Sequence, residues 1–216
     1  MTRVACRVAA ALTTAAAVVL AVVYAPQTWF TPAFAVLIAL AYAEYAAIVS
    51  KSSRLRRPAL WLAAGLPVIC GVAALPVVAA VHGRWMMLYL LAIVKVSDMG
   101  GFAAGISTAM LMPRGNHKMC PKTSPNKSWE GFAGSVAASV VVSLAFMPLT
   151  HFPWWKALAF GAVAAAAGTF GDLVESAFKR RAGVKDSAAF MPAGMGGLLD
   201  MLDSLLFAPA LLLPFI

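Results

Sequence analysis

Between Gly171 and Ser204 the sequence gathers five of its eight acidic residues: Asp172, Glu175, Asp186, Asp200 and Asp203. Asp172 and Glu175 are three residues apart, as are Asp200 and Asp203, and Lys179, Arg180, Arg181 and Lys185 lie between the pairs. On a helix, positions three apart share a face, so each pair can aim two carboxylates at one point. Carboxylates beside clustered cations suit Mg2+ holding a polyphosphate, because magnesium dehydrates reluctantly and takes few protein ligands. The same charges would also make ordinary salt bridges at helix ends, and spacing alone leaves both readings open.

Two further places carry chemistry. Lys95 and Asp98 are three apart inside a long apolar run, where charged groups are costly and face a bundle interior or a wet cavity. They also suit a structural ion pair. Gly100, Gly101 and Gly105 follow, and the step from Gly101 to Gly105 allows close helix approach. The longest polar segment, Pro113 to Gly131, interleaves Arg114, Lys118, Lys122 and Lys127 with Ser124, Ser128, Trp129 and Glu130. That mixture can grip phosphate and lay an aromatic face on a base or headgroup. It contains neither a Walker pattern nor G-x-G-x-x-G.

The elements that position these residues follow from composition. Of 216 residues, 62% are hydrophobic and 12% charged, with mean hydropathy +0.85, far from a soluble domain of ~45–50% apolar content. Spanning needs roughly 20 apolar residues, and such runs fall at 8–25, 29–49, 58–81, 85–112, 132–150, 155–174 and 198–216. The expected fold is an all-α, polytopic membrane helix bundle of about seven spans, with a polar active site on its cytoplasmic side. One integral-membrane domain, 1–216, is expected, with plain amino-terminal spans over 1–81 and catalytic spans and loops over 85–216. In the plain part Glu44 is the lone carboxylate, read as an orienting group for Lys51 to Arg57, and Pro67 and Pro76 should bend the third span.

If the amino terminus is cytoplasmic, fourteen of the seventeen Lys and Arg face inside, Arg84 and Lys156 face outside, and Lys95 lies within a span. This positive-inside bias predicts a multi-pass inner-membrane protein with its acidic and basic clusters facing the cytoplasm. It also accounts for most of the net charge of +9 through anionic headgroups, so no nucleic-acid partner is expected. Arg3 and Arg7 before an apolar run could mark a signal peptide, but the run leads straight into a second span and reads as a retained anchor. Cys6, Cys70 and Cys120 fit neither a disulfide framework nor a zinc site. Oligomeric state is not legible, although the glycine steps permit a homo-oligomer.

The segment Ser176, Lys179, Arg180, Lys185, Asp186, Pro192, Gly196, Gly197, Asp200, Asp203 resembles the signature of the phosphatidate cytidylyltransferase (CDP-diacylglycerol synthase) family: S-x-x-K-R, four residues, K-D, a proline and glycine turn, then G-G-x-x-D-x-x-D. Gly171-Asp172-Leu173 and Glu175 match as well. Upstream, Ser97-Asp98, His117-Lys118, Ser124-Pro125, Lys127 and Trp129-Glu130-Gly131 look like the family's helix aspartate and basic loop. The likeness covers residues 95 to 208. It departs at Met195 and Met201, where the family has histidine and arginine, in a segment after Pro192 one residue longer, and in a shorter amino-terminal part. These departures bear on a phosphate or headgroup contact and on which lipid is accepted.

The resemblance implies a membrane nucleotidyltransferase of phospholipid synthesis, making CDP-diacylglycerol and pyrophosphate from CTP and phosphatidate. It implies Mg2+, with room for a second cation, on Asp172 and Asp200, and Glu175 and Asp203 as further ligands or orienting groups. Lys179, Arg180 and Lys185, with Asp186, would serve the triphosphate and its leaving group. Asp98, Lys118, Ser124, Lys127, Trp129, Glu130 and Ser176 would line the nucleotide and headgroup sites. Two alternatives are a cytidylyltransferase acting on an isoprenoid or ether-lipid phosphate, and a membrane transporter using Lys95 and Asp98 as a coupling pair.

Overall fold

A computed structural model describes residues 16–55, 57–112, 115–121, 123–184 and 197–216, with the backbone alone at 67 and 68. Helix α1 covers residues 16–24 of that range, and a short 3-10 turn, Gln27–Trp29, leads into α2 (Phe30–Lys51). Then come α3 (Pro58–Cys70), α4 (Ala74–His82) and α5 (Arg84–Leu111). A two-stranded hairpin, β1 (Lys118–Cys120) and β2 (Ser124–Ser128), joins α5 to α6 (Trp129–Ala145). The chain ends with α7 (Met147–Thr150), α8 (Trp154–Ala182), α9 (Leu198–Leu202) and α10 (Ala208–Leu212).

Among the described residues, five helical stretches are long and apolar enough to cross a membrane: Gln27–Lys51, Pro58–His82, Arg84–Leu111, Trp154–Ala182 and Leu198–Phe215. They correspond to five of the seven expected runs and make this an integral membrane protein. The run expected at 132–150 is a 17-residue helix, α6, interrupted at Phe146. Pro148 restarts the chain as the short α7, since its missing N–H suits only a first helical turn. The run at 8–25 begins outside the described residues. The third span breaks at a 3-10 turn, Gly71–Ala73, between the two prolines expected to bend it. At Gly71 a Cβ would sit 1.9 Å from the carbonyl oxygen of Leu206, so glycine is required where this turn crosses the last span.

The polar loop is not loop throughout, which adds a small sheet to the expected all-α bundle. Antiparallel strands pair Lys118 with Ser128 and Cys120 with Ser124. Ser128 then caps α6, accepting a hydrogen bond from the Gly131 N–H at 3.1 Å, with Glu130 in the first turn where the helix dipole favours an anion. Glu130 also accepts from the His117 N–H at 3.1 Å and meets His117 Nδ1 at 2.6 Å, holding the mouth of the hairpin against the helix start. That hydrogen-bonded ring keeps the Glu130 carboxyl below its ordinary range.

Packing of α5 on α6 is set by small residues. A Cβ added at Gly101 would lie 2.2 Å from Ser135 Oγ, and one at Gly134 2.3 Å from the Ala104 Cβ, so the helices approach only because side chains are missing there. Ser135, Ser139 and Ser143 recur every fourth residue on the buried face of α6. Ser139 donates to the Ile93 carbonyl at 3.0 Å, and Ser143 donates to the Ala157 carbonyl at 2.6 Å while lying 2.7 Å from the Tyr89 hydroxyl. The row of hydroxyls therefore joins α5, α6 and α8.

The amino-terminal helices brace the far side of α8. Tyr45 of α2 stacks on Phe178 with centroids 4.5 Å apart and donates to the Trp61 carbonyl at 2.8 Å. Ser52 donates to the Ala182 carbonyl at 2.8 Å, satisfying an end of α8 that closes on Gly183 at φ 80.

Candidate active site

The span expected at 155–174 does not end near Asp172. Helix α8 runs unbroken from Trp154 to Ala182. Asp172, Glu175, Ser176 and Lys179 are thus rigidly spaced on one helix, with Asp172 and Ser176 one turn apart on one face and Glu175 and Lys179 on the next. The extension is stabilised from within, because Lys179 Nζ lies 2.9 Å from Glu175 Oε1 at the favourable four-residue spacing.

Helix α9 brings the second carboxylate pair to α8. Asp200 accepts from Lys179 Nζ at 2.5 Å through Oδ1 and from the Gly197 N–H at 2.8 Å through Oδ2. Lys179 is therefore clamped between Glu175 and Asp200, with all three largely buried. Asp203 opens the 3-10 turn Asp203–Leu205, which lies directly on α8: a Cβ at Gly171 would be 2.5 Å from the Asp203 carbonyl oxygen, and one at Gly168 would be 3.6 Å from the Ser204 Cβ. Gly171 thus opens the surface on which the turn rests, while Gly168 meets it at an ordinary contact distance. In that position Asp203 feels the charges of Asp172, Lys95, Glu175 and Asp98.

Helix α5 and the hairpin close the other side. Lys95 Nζ donates to the Met201 carbonyl at 2.8 Å and to Ser204 Oγ at 3.0 Å, and lies 3.8 Å from Asp98 Oδ2. Asp98 in turn is within hydrogen-bonding reach of Ser204 and feels Asp172 and Lys127. From β2, Lys127 Nζ reaches Asp172 Oδ2 at 2.5 Å and the Thr169 carbonyl at 3.3 Å. Five carboxylates and three lysines from α5, β2, α8 and the α9 region thus meet in one cluster.

Not every expected residue joins them. Arg180 is exposed and, among the described residues, has no ion-pair partner. Ser176 is half-buried on α8. Lys118 and Trp129 are exposed, Ser124 is half-buried on β2, and Glu130 is engaged with His117. Lys185, Asp186, Pro192, Met195 and Gly196 lie outside the described residues. Two residues of the cluster were not singled out by sequence, Ser204 and the Thr169 carbonyl; neither carries a charge or a pattern that would mark it.

Glu44 is also corrected. It is fully buried, and its Oε2 accepts from the Leu199 N–H at 2.8 Å, a partner outside the Lys51 to Arg57 group. A lone carboxylate within an apolar span was the available signal.

Asp172 Oδ1 is buried and, among the described residues, has no hydrogen-bond partner, leaving lone pairs that suit a cation. Among the described residues no three His, Cys, Asp or Glu side chains are arranged to hold a metal by themselves. The donors fit an ion that takes one or two carboxylates and completes its shell with substrate phosphates and water, as magnesium does, rather than a cage built by protein alone.

Comparison with known proteins bears on this cluster. Residues 60–216 match the model of the Cytidylyltransferase family. The phosphatidate cytidylyltransferase of Mycobacterium tuberculosis (strain CDC 1551 / Oshkosh) is 37% identical over 149 residues, 68% of this chain and 43% of that protein. That of Mycobacterium leprae is 39% identical over 149 residues, 68% and 45% of the two chains. That of Staphylococcus aureus (strain COL) is 40% identical over 133 residues, 61% and 48%. The chain spans about half the length of the curated relatives it matches.

Proposed function

The chain belongs to the cytidylyltransferase family, and from that membership we propose that it transfers the cytidylyl group of CTP to phosphatidate, releasing pyrophosphate and forming CDP-diacylglycerol. The observation that carries this reading is the meeting of Lys95, Lys127 and Lys179 with Asp98, Asp172, Glu175, Asp200 and Asp203 in one cluster. A site that handles a triphosphate needs cations for the nucleotide and carboxylates for the ion that accompanies it, both held in advance.

In this reading a phosphate oxygen of the lipid attacks the α-phosphorus of CTP, and the bond from that phosphorus to the bridging oxygen of the β-phosphate breaks. A lipid phosphate monoester is already anionic near neutral pH, so no side chain need remove a proton from it. The protein's task is positioning and charge neutralisation. Lys127 and Lys179, each held by a carboxylate, offer ammonium groups to the phosphate oxygens. Lys95 is tied to the α9 backbone and Ser204, so it orients the Asp203 turn against Asp172. Exposed Arg180 and the hairpin residues Lys118, Ser124 and Trp129 meet the nucleotide or headgroup from outside. Ser176 lies along the same face of α8 as Asp172. Lys185 and Asp186, by the family signature, complete the leaving-group side.

Mg2+ fits this arrangement on Asp172, with Asp200, Asp203 and Glu175 in support, and when bound it would neutralise charge on the triphosphate as the α–β bond breaks. We place the site at the cytoplasmic face of an inner membrane, on the bias of fourteen Lys and Arg toward that side. Tying Lys95 to α9 argues against the transporter reading, which needs that ammonium free to exchange partners.

The test is pyrophosphate release by the purified chain in detergent or lipid with CTP, Mg2+ and phosphatidate, with the liponucleotide identified by mass. Turnover that requires all three supports the proposal. Turnover with an isoprenoid phosphate but not phosphatidate would move it to the alternative acceptor, and none with any lipid phosphate would overturn it.

A further inference from the structure

Helix α9 is only five residues long, too short to hold its shape by its own hydrogen bonds. Yet it carries Asp200, whose carboxylate clamps Lys179. Something outside the helix must fix its first turn. One such contact is local, from Asp200 Oδ2 to the Gly197 N–H at 2.8 Å. The other comes from 155 residues away: Glu44 Oε2 accepts the Leu199 N–H at 2.8 Å.

Glu44 sits on the buried face of α2 with Ala41, Tyr45 and Ile48, and is itself fully buried. A carboxylate is costly to bury unless hydrogen-bonded, and the start of a helix, with its unpaired N–H groups and positive dipole end, is the backbone feature that suits it. Leu199 is the residue before Asp200, so the contact holds the Leu198–Leu199 peptide, one unit ahead of the one that enters Asp200. Glu44 also lies outside residues 60–216, the part that matches the family. The amino-terminal helices are therefore more than packing for the catalytic half.

We propose that Glu44 is a positioning residue for the site: by holding the Leu199 N–H it sets the Asp200 carboxylate against Lys179. The inference rests on the cytidylyl-transfer reading for its kinetic consequence, but not for the contact itself.

The experiment compares the full chain with Glu44→Gln, whose amide oxygen can still accept, and Glu44→Met, which fills the space without accepting. Hydrogen exchange by mass spectrometry follows the peptide covering Leu199, with α5 and α6 peptides reporting whether the bundle is intact. In parallel, the Mg2+ concentration for half-maximal velocity is measured with CTP and phosphatidate, a quantity that does not depend on the fraction of folded enzyme. Glu44→Met should lose at least about tenfold of the protection at Leu199, one charge-assisted hydrogen bond's worth, with α5 and α6 unchanged. Its Mg2+ requirement should rise about tenfold, and Glu44→Gln should restore both to within about threefold. Unchanged protection in Glu44→Met overturns the contact. Lost protection with an unchanged Mg2+ requirement overturns the positioning role, as does loss spread equally over α5 and α6. A wild-type chain that turns over no CTP refutes the proposed function instead, and the exchange comparison then decides on Glu44 alone.

Discussion

Lys127 and Asp172, forty-five residues apart, form an ion pair that fastens the hairpin to α8. The same lysine donates to the Thr169 carbonyl one turn earlier. The pair occupies only Oδ2 of the aspartate, so the buried Oδ1 is left without a hydrogen bond among the described residues. Asp172 thus anchors the polar loop through one oxygen, and under the proposed function it is the other that would meet a cation.

Asp172→Asn should therefore separate these two duties. An amide keeps the shape and can still accept from Lys127, but offers a cation a neutral oxygen. Mg2+-dependent CTP turnover should fall about 10²–10³-fold, while thermal unfolding in detergent stays close to wild type. Activity within a few-fold of wild type would remove Asp172 from the metal assignment.

Lys179 is held by Glu175 and Asp200 in a largely buried site. Lys179→Met would leave two carboxylates facing each other without their cation, at a cost of about 3–5 kcal/mol. Adding Glu175→Gln to Lys179→Met should recover part of that loss by removing one charge, although activity should not return. Measuring the midpoint of denaturation for both variants checks the sign. Equal stability of Lys179→Met and wild type would mean the clamp contributes nothing to folding.

Along the α5–α6 seam, neighbouring glycines should respond differently to one methyl group. Gly101→Ala drives a Cβ to 2.2 Å from Ser135 Oγ, and such overpacking should destabilise by about 1–3 kcal/mol. At Gly105 the nearest atom to a new Cβ is 3.6 Å away, an ordinary contact. Gly105→Ala should be neutral or stabilising by up to about 1 kcal/mol through helix propensity. Unfolding curves that order the two variants the other way would contradict the seam described above.

Acid should loosen the hairpin late. Bonds from His117 keep the Glu130 carboxyl below its ordinary value of 4.5, so its stabilising contribution is complete above that value and is lost as the pH falls through the lower value of the folded state. The His117 amide should stay protected down to the ordinary glutamate range and exchange faster only below it. Glu130→Gln should lose this pH step altogether, an outcome that hydrogen exchange across an acid series would reveal.

The membrane character and the positions of five spans follow from local pattern. Apolar run length is set by bilayer thickness, and three- and four-residue spacing decides which side chains share a helix face. For that reason Asp172, Glu175, Lys179, Asp200 and Asp203 stood out without any contact being known. The signature resemblance drew the same residues into one site.

Local pattern does not say which faces meet. Nothing in the periodicity of α2 directs Glu44 to the Leu199 amide. Nor does it make Lys127 choose Asp172, or draw Ser139 and Ser143 to carbonyls on two different helices. Those choices arise from packing: Gly101 and Gly134 let α5 and α6 close, Gly171 lets the Asp203 turn settle on α8, and each approach decides which polar groups fall within reach. Nor does local pattern say that α8 runs on past Asp172 to bring Lys179 against a second carboxylate on another segment. Sequence alone set the chemical inventory and its helical phase, because both are properties of a few neighbouring residues. Only the tertiary structure decided the partners, because a hydrogen bond or ion pair between distant segments exists only once packing has brought them within about 3 Å of each other.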